Sequence, residues 1–253
     1  MTGIIDRANS RMKNRMMTDL PPIIRSGEFA DFDPESIGPE GAVLLVDKPL
    51  DWTSFDVVAK VRGATRIRKV GHAGTLDPLA TGLLVVCIGR ATKRADEFQA
   101  GEKEYTGRFH LGATTPTDDA EGEPEGVVPV DHLTPEEILR AAESFLGESL
   151  QTPPMFSARK VGGKRLYRLA RKGIEVERPA RPVTIRSFEI TSINLPSVSF
   201  RIVCSRGTYI RSIARDLGER LGVGAYLAEL RRTRSGDFSV DEAIMIEELR
   251  IKN

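Results

Sequence analysis

The chain has 253 residues, 40% of them hydrophobic and 29% charged, enough for one substantial core or two small ones. Its 37 Lys and Arg against 36 Asp and Glu leave a net charge of +1, so neither a gross polyanion binder nor an acidic solvating chain is indicated. No apolar stretch approaches the ~20 residues of a membrane span. Residues 1–17 lack the apolar centre of a secretory signal. Cys87 and Cys204 each stand alone in an apolar run, which points to buried thiols in a reducing compartment and makes the cytoplasm the expected location.

The near-neutral sum hides a segregation. Residues 159–186 carry ten Lys and Arg against Glu175 and Glu177, whereas residues 117–148 carry ten acids against Arg140 alone. A chain that separates charge in this way presents a basic face, which suits nucleic acid.

In chain order, Pro21-Pro22, Gly27, Pro34, Gly38 and Pro39 disfavour regular elements, so residues 1–40 are expected to form a disordered extension with the fold beginning at Gly41. Val43 to Val46 reads as a buried strand. Thr53-Ser54 caps a helix that runs to about Arg66. Leu83 to Ile88 is a second buried strand, and Tyr105, Gly107, Phe109 and Leu111 alternate with polar residues as a half-buried one. Thr134-Pro135-Glu136-Glu137 is a capping box, predicting a helix from Pro135 to about Leu146. Two long strands, Arg181 to Ile193 and Val198 to Cys204, follow. Ile210, Ile213, Leu217 and Leu221 then take helical spacing until Gly222, and Ser239 to Glu242 opens a short final helix. Strands and helices interleave without a regular βαβ rhythm, which predicts an α+β fold with a mixed, largely antiparallel central sheet. Thr117 to Pro129 is a surface loop, and the cationic stretch at about 151–178 is a long excursion from the core.

The chain lacks a phosphate-binding Gly-rich loop, a dinucleotide fingerprint, a zinc-protease helix and a nucleophile elbow, and His72, His110 and His132 are scattered. What stands out is Gly71-His72-Ala73-Gly74-Thr75-Leu76-Asp77-Pro78, a loop that feeds an apolar strand. Asp77 is either a turn residue bonded to its own backbone or a working carboxylate. It is the one acid between Asp56 and Asp96, and Lys60, Arg62, Arg66, Arg68 and Lys69 crowd the segment before it, so it stays ionised and can serve as a nucleophile. Arg211 and Arg215 lie one turn apart on a helix, either as a solvated face or as partners for an anion. Tyr105 takes the apolar side of its strand, as a core residue or as part of a site.

At these residues the sequence resembles the TruB family of tRNA pseudouridine synthases, which isomerise uridine 55 in the T-loop. Asp47-Lys48-Pro49 with Trp52-Thr53-Ser54, the Gly71 to Leu84 block, Lys103-Glu104-Tyr105, Pro153 to Ala158, Gly163 to Tyr167 and Gly207 to Arg211 follow the family's order from about Gly41 to Ile246. The resemblance implies a pseudouridine synthase fold, its central sheet flanked by helices and RNA-binding loops, over residues 41–253, with an RNA-gripping insertion at about 151–178. It implies Asp77 as nucleophile, Arg211 as its ion-pair partner, and Tyr105 stacked on the target base with a share in proton removal. Tyr209 and Leu230 would pack beside the base, and His72 would fill the gap left by the extruded uridine. Lys48 and Pro49 would belong to the substrate side, while Lys164 and Arg165 close on the RNA backbone. Neither a metal nor a cofactor is implied; the expected partner is the T stem-loop of tRNA, met by a monomer with no obligate protein partner.

Two departures stand out. The family's usual Thr-Asp-Thr reads Thr115-Pro116-Thr117 here, so its acid must be replaced by Asp118 or Asp119 or be missing. The chain also stops at Asn253, so no C-terminal accessory RNA-binding domain is expected, and tRNA binding should lean on the catalytic domain. Two competing readings are a noncatalytic RNA chaperone and a glycosidase, the latter needing a second carboxylate within about 5–10 Å of Asp77.

Overall fold

Val43 to Val46 and Leu83 to Ile88 are apolar at every position because both faces of their strands are covered. They lie in β2 (Ala42–Lys48) and β4 (Ala80–Ile88), which pair antiparallel from Ala42 opposite Ile88 to Lys48 opposite Gly82. Leu44, Val46, Leu84 and Val86 pack on Val57, Val58 and Val61 of α1 (Ser54–Thr65). On the opposite face Val43, Leu45, Leu83 and Val85 meet Ala91 and Phe98, the latter on α2 (Ala95–Gln99). The computed structural model describes residues 20–156, 160–161, 164–165, 174 and 176–250.

The sheet continues through β11 (Ala225–Ser235), which runs parallel to β4 and antiparallel to β5 (Lys103–Leu111). Beyond β5 come β10 (Ser197–Cys204), β9 (Arg181–Asn194) and β6 (Gly147–Gln151), all antiparallel. A short strand, β3 (Val70–His72), pairs with β4 and leads into the Gly71 to Pro78 loop. The predicted α+β class and mixed sheet are therefore present. On this outer half one face is covered by α3 (Pro135–Glu143) and α4 (Ile210–Leu221), whose Ile210, Ile213 and Leu217 pack on a cluster containing Phe109, Phe188 and Phe200. The rings of Phe109 and Phe200 stack at 4.1 Å.

Three expectations need correction. Residues 20–40 are not a disordered extension: β1 (Ile23–Ile24) adds parallel to β2, and Ile24 and Phe29 are buried in the core. The prolines that stop long elements permit this path, because Pro22 offers its carbonyl to Val43 N at 2.9 Å and Pro34 opens a short 3-10 turn capped by Asp33. The part of the expected extension over residues 1–19 lies outside the described residues. The helix predicted to reach Leu146 ends at Glu143, and strand β11 falls where no element was expected.

Candidate active site

Local bonds fix the Asp77 loop before any substrate arrives. Ser54, in the first turn of α1, accepts from Leu76 N at 2.8 Å and donates to Leu76 O at 2.9 Å through the same hydroxyl. Asp51 N donates to Pro78 O at 3.0 Å. The fully buried Lys48 ammonium donates to the carbonyls of Pro49, Trp52 and Pro78 at 2.9, 2.5 and 3.2 Å. Its three donors are thus spent on backbone, and Lys48, expected on the substrate side, lines no part of the catalytic cavity. Burial pulls its pKa down to about 8, partly offset by the charge of Asp77. Pro49 contributes one of those carbonyls and lines no part of the catalytic cavity.

α4 brings Arg211 to the other side of Asp77. Its face toward the sheet is apolar, so the guanidinium runs along a buried edge, 5% exposed, and meets the 40% exposed Asp77 carboxylate at 2.8 Å. The same guanidinium donates to Thr117 O at 3.1 Å and Phe156 O at 2.8 Å, and stands 3.5 Å from Asp119. Asp77 is open to solvent and its cation is not, an arrangement that aims the carboxylate from behind.

The first departure from the family pattern resolves here. Asp119 reaches Arg211, whereas Asp118 pairs with Arg215 at 3.3 Å. Asp119 is 2% exposed and accepts from Thr117 Oγ1 at 2.6 Å and Glu121 N at 3.1 Å; burial, its largest influence, nonetheless pushes its pKa up. It is a second carboxylate near Asp77, but it lines no part of the catalytic cavity, so nothing there places it to protonate a leaving group as a glycosidase requires.

Asp77, Tyr105, Tyr209, Arg211 and Leu230 line one cavity of about 200 Å³. Tyr105 is buried, and burial pushes its phenol pKa upward, so the hydroxyl stays neutral. His72 lies off this cavity on β3, half-buried and pushed toward the neutral imidazole by burial and by Arg232. Lys164 and Arg165 form a two-residue strand, β8, against β7 (Lys160–Val161); their side chains lie outside the described residues, as does half of the expected gripping insertion.

Sequence reasoning missed Lys103 and Arg232 as cavity residues. Lys103 donates to Gln99 O and Gly101 O at 3.0 and 2.7 Å and is pulled down to about 8 by burial. Arg232, 1% exposed, sits directly opposite Tyr105 in the β5–β11 ladder and donates to Leu83 O at 2.7 Å. The run Arg231-Arg232-Thr233-Arg234 beside Leu230 was the available signal. With Arg206 and Arg211, these residues place four cations around one carboxylate, a lining that suits a nucleotide.

Family models match the whole of this region. Residues 62–210 match the TruB family pseudouridylate synthase (N terminal domain), and residues 211–252 the tRNA pseudouridylate synthase B C-terminal domain. The boundary falls in the first turn of α4, and the second match supplies β11, so both belong to one sheet. A protein named tRNA pseudouridine synthase B from Chloroherpeton thalassium is 52% identical over 216 residues, 83% of this chain and 90% of that one. Its namesake in Clostridium tetani is 47% identical over 83% of this chain and 73% of that one. Among solved structures, a chain of a Cbf5-Nop10-Gar1 complex superposes with a TM-score of 0.64 at 32% identity, covering 85% of this chain and 56% of that chain. A chain of the archaeal box H/ACA sRNP Nop10-Cbf5 complex gives 0.63 at 29% identity, covering 91% and 60%. This chain therefore spans little more than half of those longer chains.

Proposed function

We propose that this chain, which belongs to the TruB family of pseudouridine synthases, isomerises uridine 55 in the T-loop of tRNA to pseudouridine with Asp77 as nucleophile. The observation that carries the reading is the Asp77 carboxylate, open to a nucleobase-sized cavity and bound from behind by the buried Arg211. As the carboxylate adds to the target nucleotide, the bond from uracil N1 to ribose C1′ breaks. The freed uracil turns and rejoins C1′ through C5 as the bond to the Asp77 carboxylate breaks, the C5 proton is lost and N1 takes up a proton. One C–N bond is exchanged for one C–C bond, so the chemistry needs no electron donor and no nucleotide hydrolysis.

The target cannot react inside a folded loop, and extruding it costs a few kcal/mol. Tyr105 and Leu230 supply apolar surface on which the base recovers part of that cost, with Tyr209 beside them. Tyr105 in its neutral form is placed to share in moving the C5 proton. The flat, neutral ring of His72 at the head of the catalytic loop suits it to take the vacated place in the RNA stack. Among the described residues no helix is long and apolar enough to cross a membrane, and we place the enzyme with its tRNA in the cytoplasm.

Release of tritium from 5-tritiated uridine in a T-stem-loop transcript tests the reaction, and mapping of pseudouridine in the product tests the position. Binding without release would leave an RNA chaperone in place of an isomerase. Asp77→Asn should abolish release and keep RNA affinity within about tenfold, because the carboxylate does chemistry rather than docking.

A further inference from the structure

The chain that leaves β6 runs along the first turn of α4 and is tied to it from Gln151 to Phe156. Gln151, the last residue of β6 and 6% exposed, donates from Nε2 to Tyr209 O at 3.1 Å and accepts at Oε1 from Tyr209 N at 2.8 Å. The peptide groups of Tyr209 offer one donor and one acceptor, so the amide fits in one orientation only. Thr152 O accepts from Ser212 Oγ at 2.9 Å and from Arg215 at 3.4 Å, and Phe156 O accepts from Arg211 at 2.8 Å. Between these points lie Pro153 and Pro154, both buried, whose fixed φ angles stiffen the segment.

The start of α4 needs such a brace. Tyr209 is its N-cap and supplies no side-chain cap, the first turn holds no acid, and Arg211 places a cation where the helix dipole is already positive. The catalytic groups nevertheless hang from this turn. Tyr209 lines the catalytic cavity, and the Nη2 of Arg211 that donates to Phe156 O also reaches Asp77 at 2.8 Å. Gln151 lines no part of that cavity, so its link to the reaction runs through the Tyr209 backbone.

We propose that Gln151 is a positioning residue for the isomerisation, its amide setting the first turn of α4 so that Tyr209 and Arg211 stand where the extruded uridine and Asp77 require them. The role rests on the isomerase reading given above. Methionine at this position keeps the length of the side chain and loses both bonds, which frees the Tyr209 peptide to shift. A displacement of about 1 Å at a reacting group costs about 10²-fold in rate. Glutamate keeps the bond from Tyr209 N, loses the one to Tyr209 O and sets a carboxylate against that carbonyl.

The test compares the wild-type chain, Q151M and Q151E by tritium release from a 5-tritiated T-stem-loop across a range of RNA concentrations, by affinity for the same RNA, and by urea unfolding. Q151M should lower kcat about 10²-fold and Q151E about tenfold, with KM and RNA affinity within about threefold of wild type. Q151E retains one of the two bonds and decides the question where Q151M does not fold. A bond that serves the fold alone would lower the urea midpoint and leave kcat per folded chain at the wild-type value, and that result would overturn the role. A loss confined to KM would also overturn it, since Gln151 would then be an RNA contact. Wild type without tritium release refutes the isomerase reading and the role with it, whereas wild-type release matched by both variants refutes the role of Gln151 alone.

Discussion

Replacing Arg211 with Met separates its structural work from its chemical work. The guanidinium faces Asp77 at 2.8 Å and Asp119 at 3.5 Å, but the two carboxylates are 40% and 2% exposed. Water can solvate Asp77 once the cation is gone. Asp119 would keep only the bonds from Thr117 and Glu121, and stripping one partner from a buried charge pair costs about 3–5 kcal/mol. Arg211→Met should therefore lower unfolding free energy by about that amount, a large share of the ~5–15 kcal/mol a domain possesses. Turnover should fall about 10²-fold or more, the scale of losing one preorganised charged donor. Adding Asp119→Asn removes the stranded charge, so the double variant should regain most of the stability and none of the turnover. Urea unfolding and tritium release on the same three proteins, wild type included, read both quantities. A double variant that regains turnover would refute the ion pair with Asp77 as the active element. A single variant as stable as wild type would refute the buried network.

Burial lowers Lys48 to about 8 against 10.5 for a free lysine, so between those values the unfolded chain binds more protons and the group makes stability rise with pH. Thermal unfolding between pH 8 and 10 should show a smaller rise in Lys48→Met than in wild type; equal slopes would mean that this ammonium is solvated. Phe29→Ala should cost about 3–5 kcal/mol in urea unfolding, because Phe29 is 5% exposed in the core, whereas an unchanged midpoint would return residues 20–40 to the status of an extension. At Gly107 a Cβ would lie 2.2 Å from Glu229 O and 2.7 Å from the Phe200 ring, so Gly107→Ala should exceed the ~1–3 kcal/mol of ordinary overpacking. Wild-type stability there would show that the two strands can part.

Helix starts were legible because their signals are local. Thr53 with Asp56, Thr134 with Glu137 and Ser239 with Glu242 each form the reciprocal cap that their spacing announces. The αL cap at Gly222 ends α4 where the apolar spacing stops. Asp77, Tyr105 and Arg211 were legible for another reason: each sits in a short run whose composition is unusual on its own, and the resemblance joined the runs. Asp119 lay within an acidic stretch read as a surface loop, where it and Asp118 were both candidates for the missing acid, and its approach to Arg211 is what separates the two.

Strand β11 was illegible because its alternation is broken twice. Its register against β5 shifts between Leu227 and Glu229 and again between Arg232 and Arg234. The side chains opposite Phe109, Gly107 and Tyr105 are therefore Leu227, Leu230 and Arg232, spaced three and two apart, and no period-two search can find them. The same irregularity sets Leu230 and Arg232 on the face that Tyr105 occupies, while the parallel pairing of Leu230 with Ala80 brings them to the strand that follows Asp77. Gly107 lacks a side chain opposite the first shift, which lets the bulged backbone of Glu229 approach. What hid the strand from a pattern reading is thus what lets residues 77, 105 and 230 share one cavity, and the site could not be assembled from a regular strand at this place in the sheet.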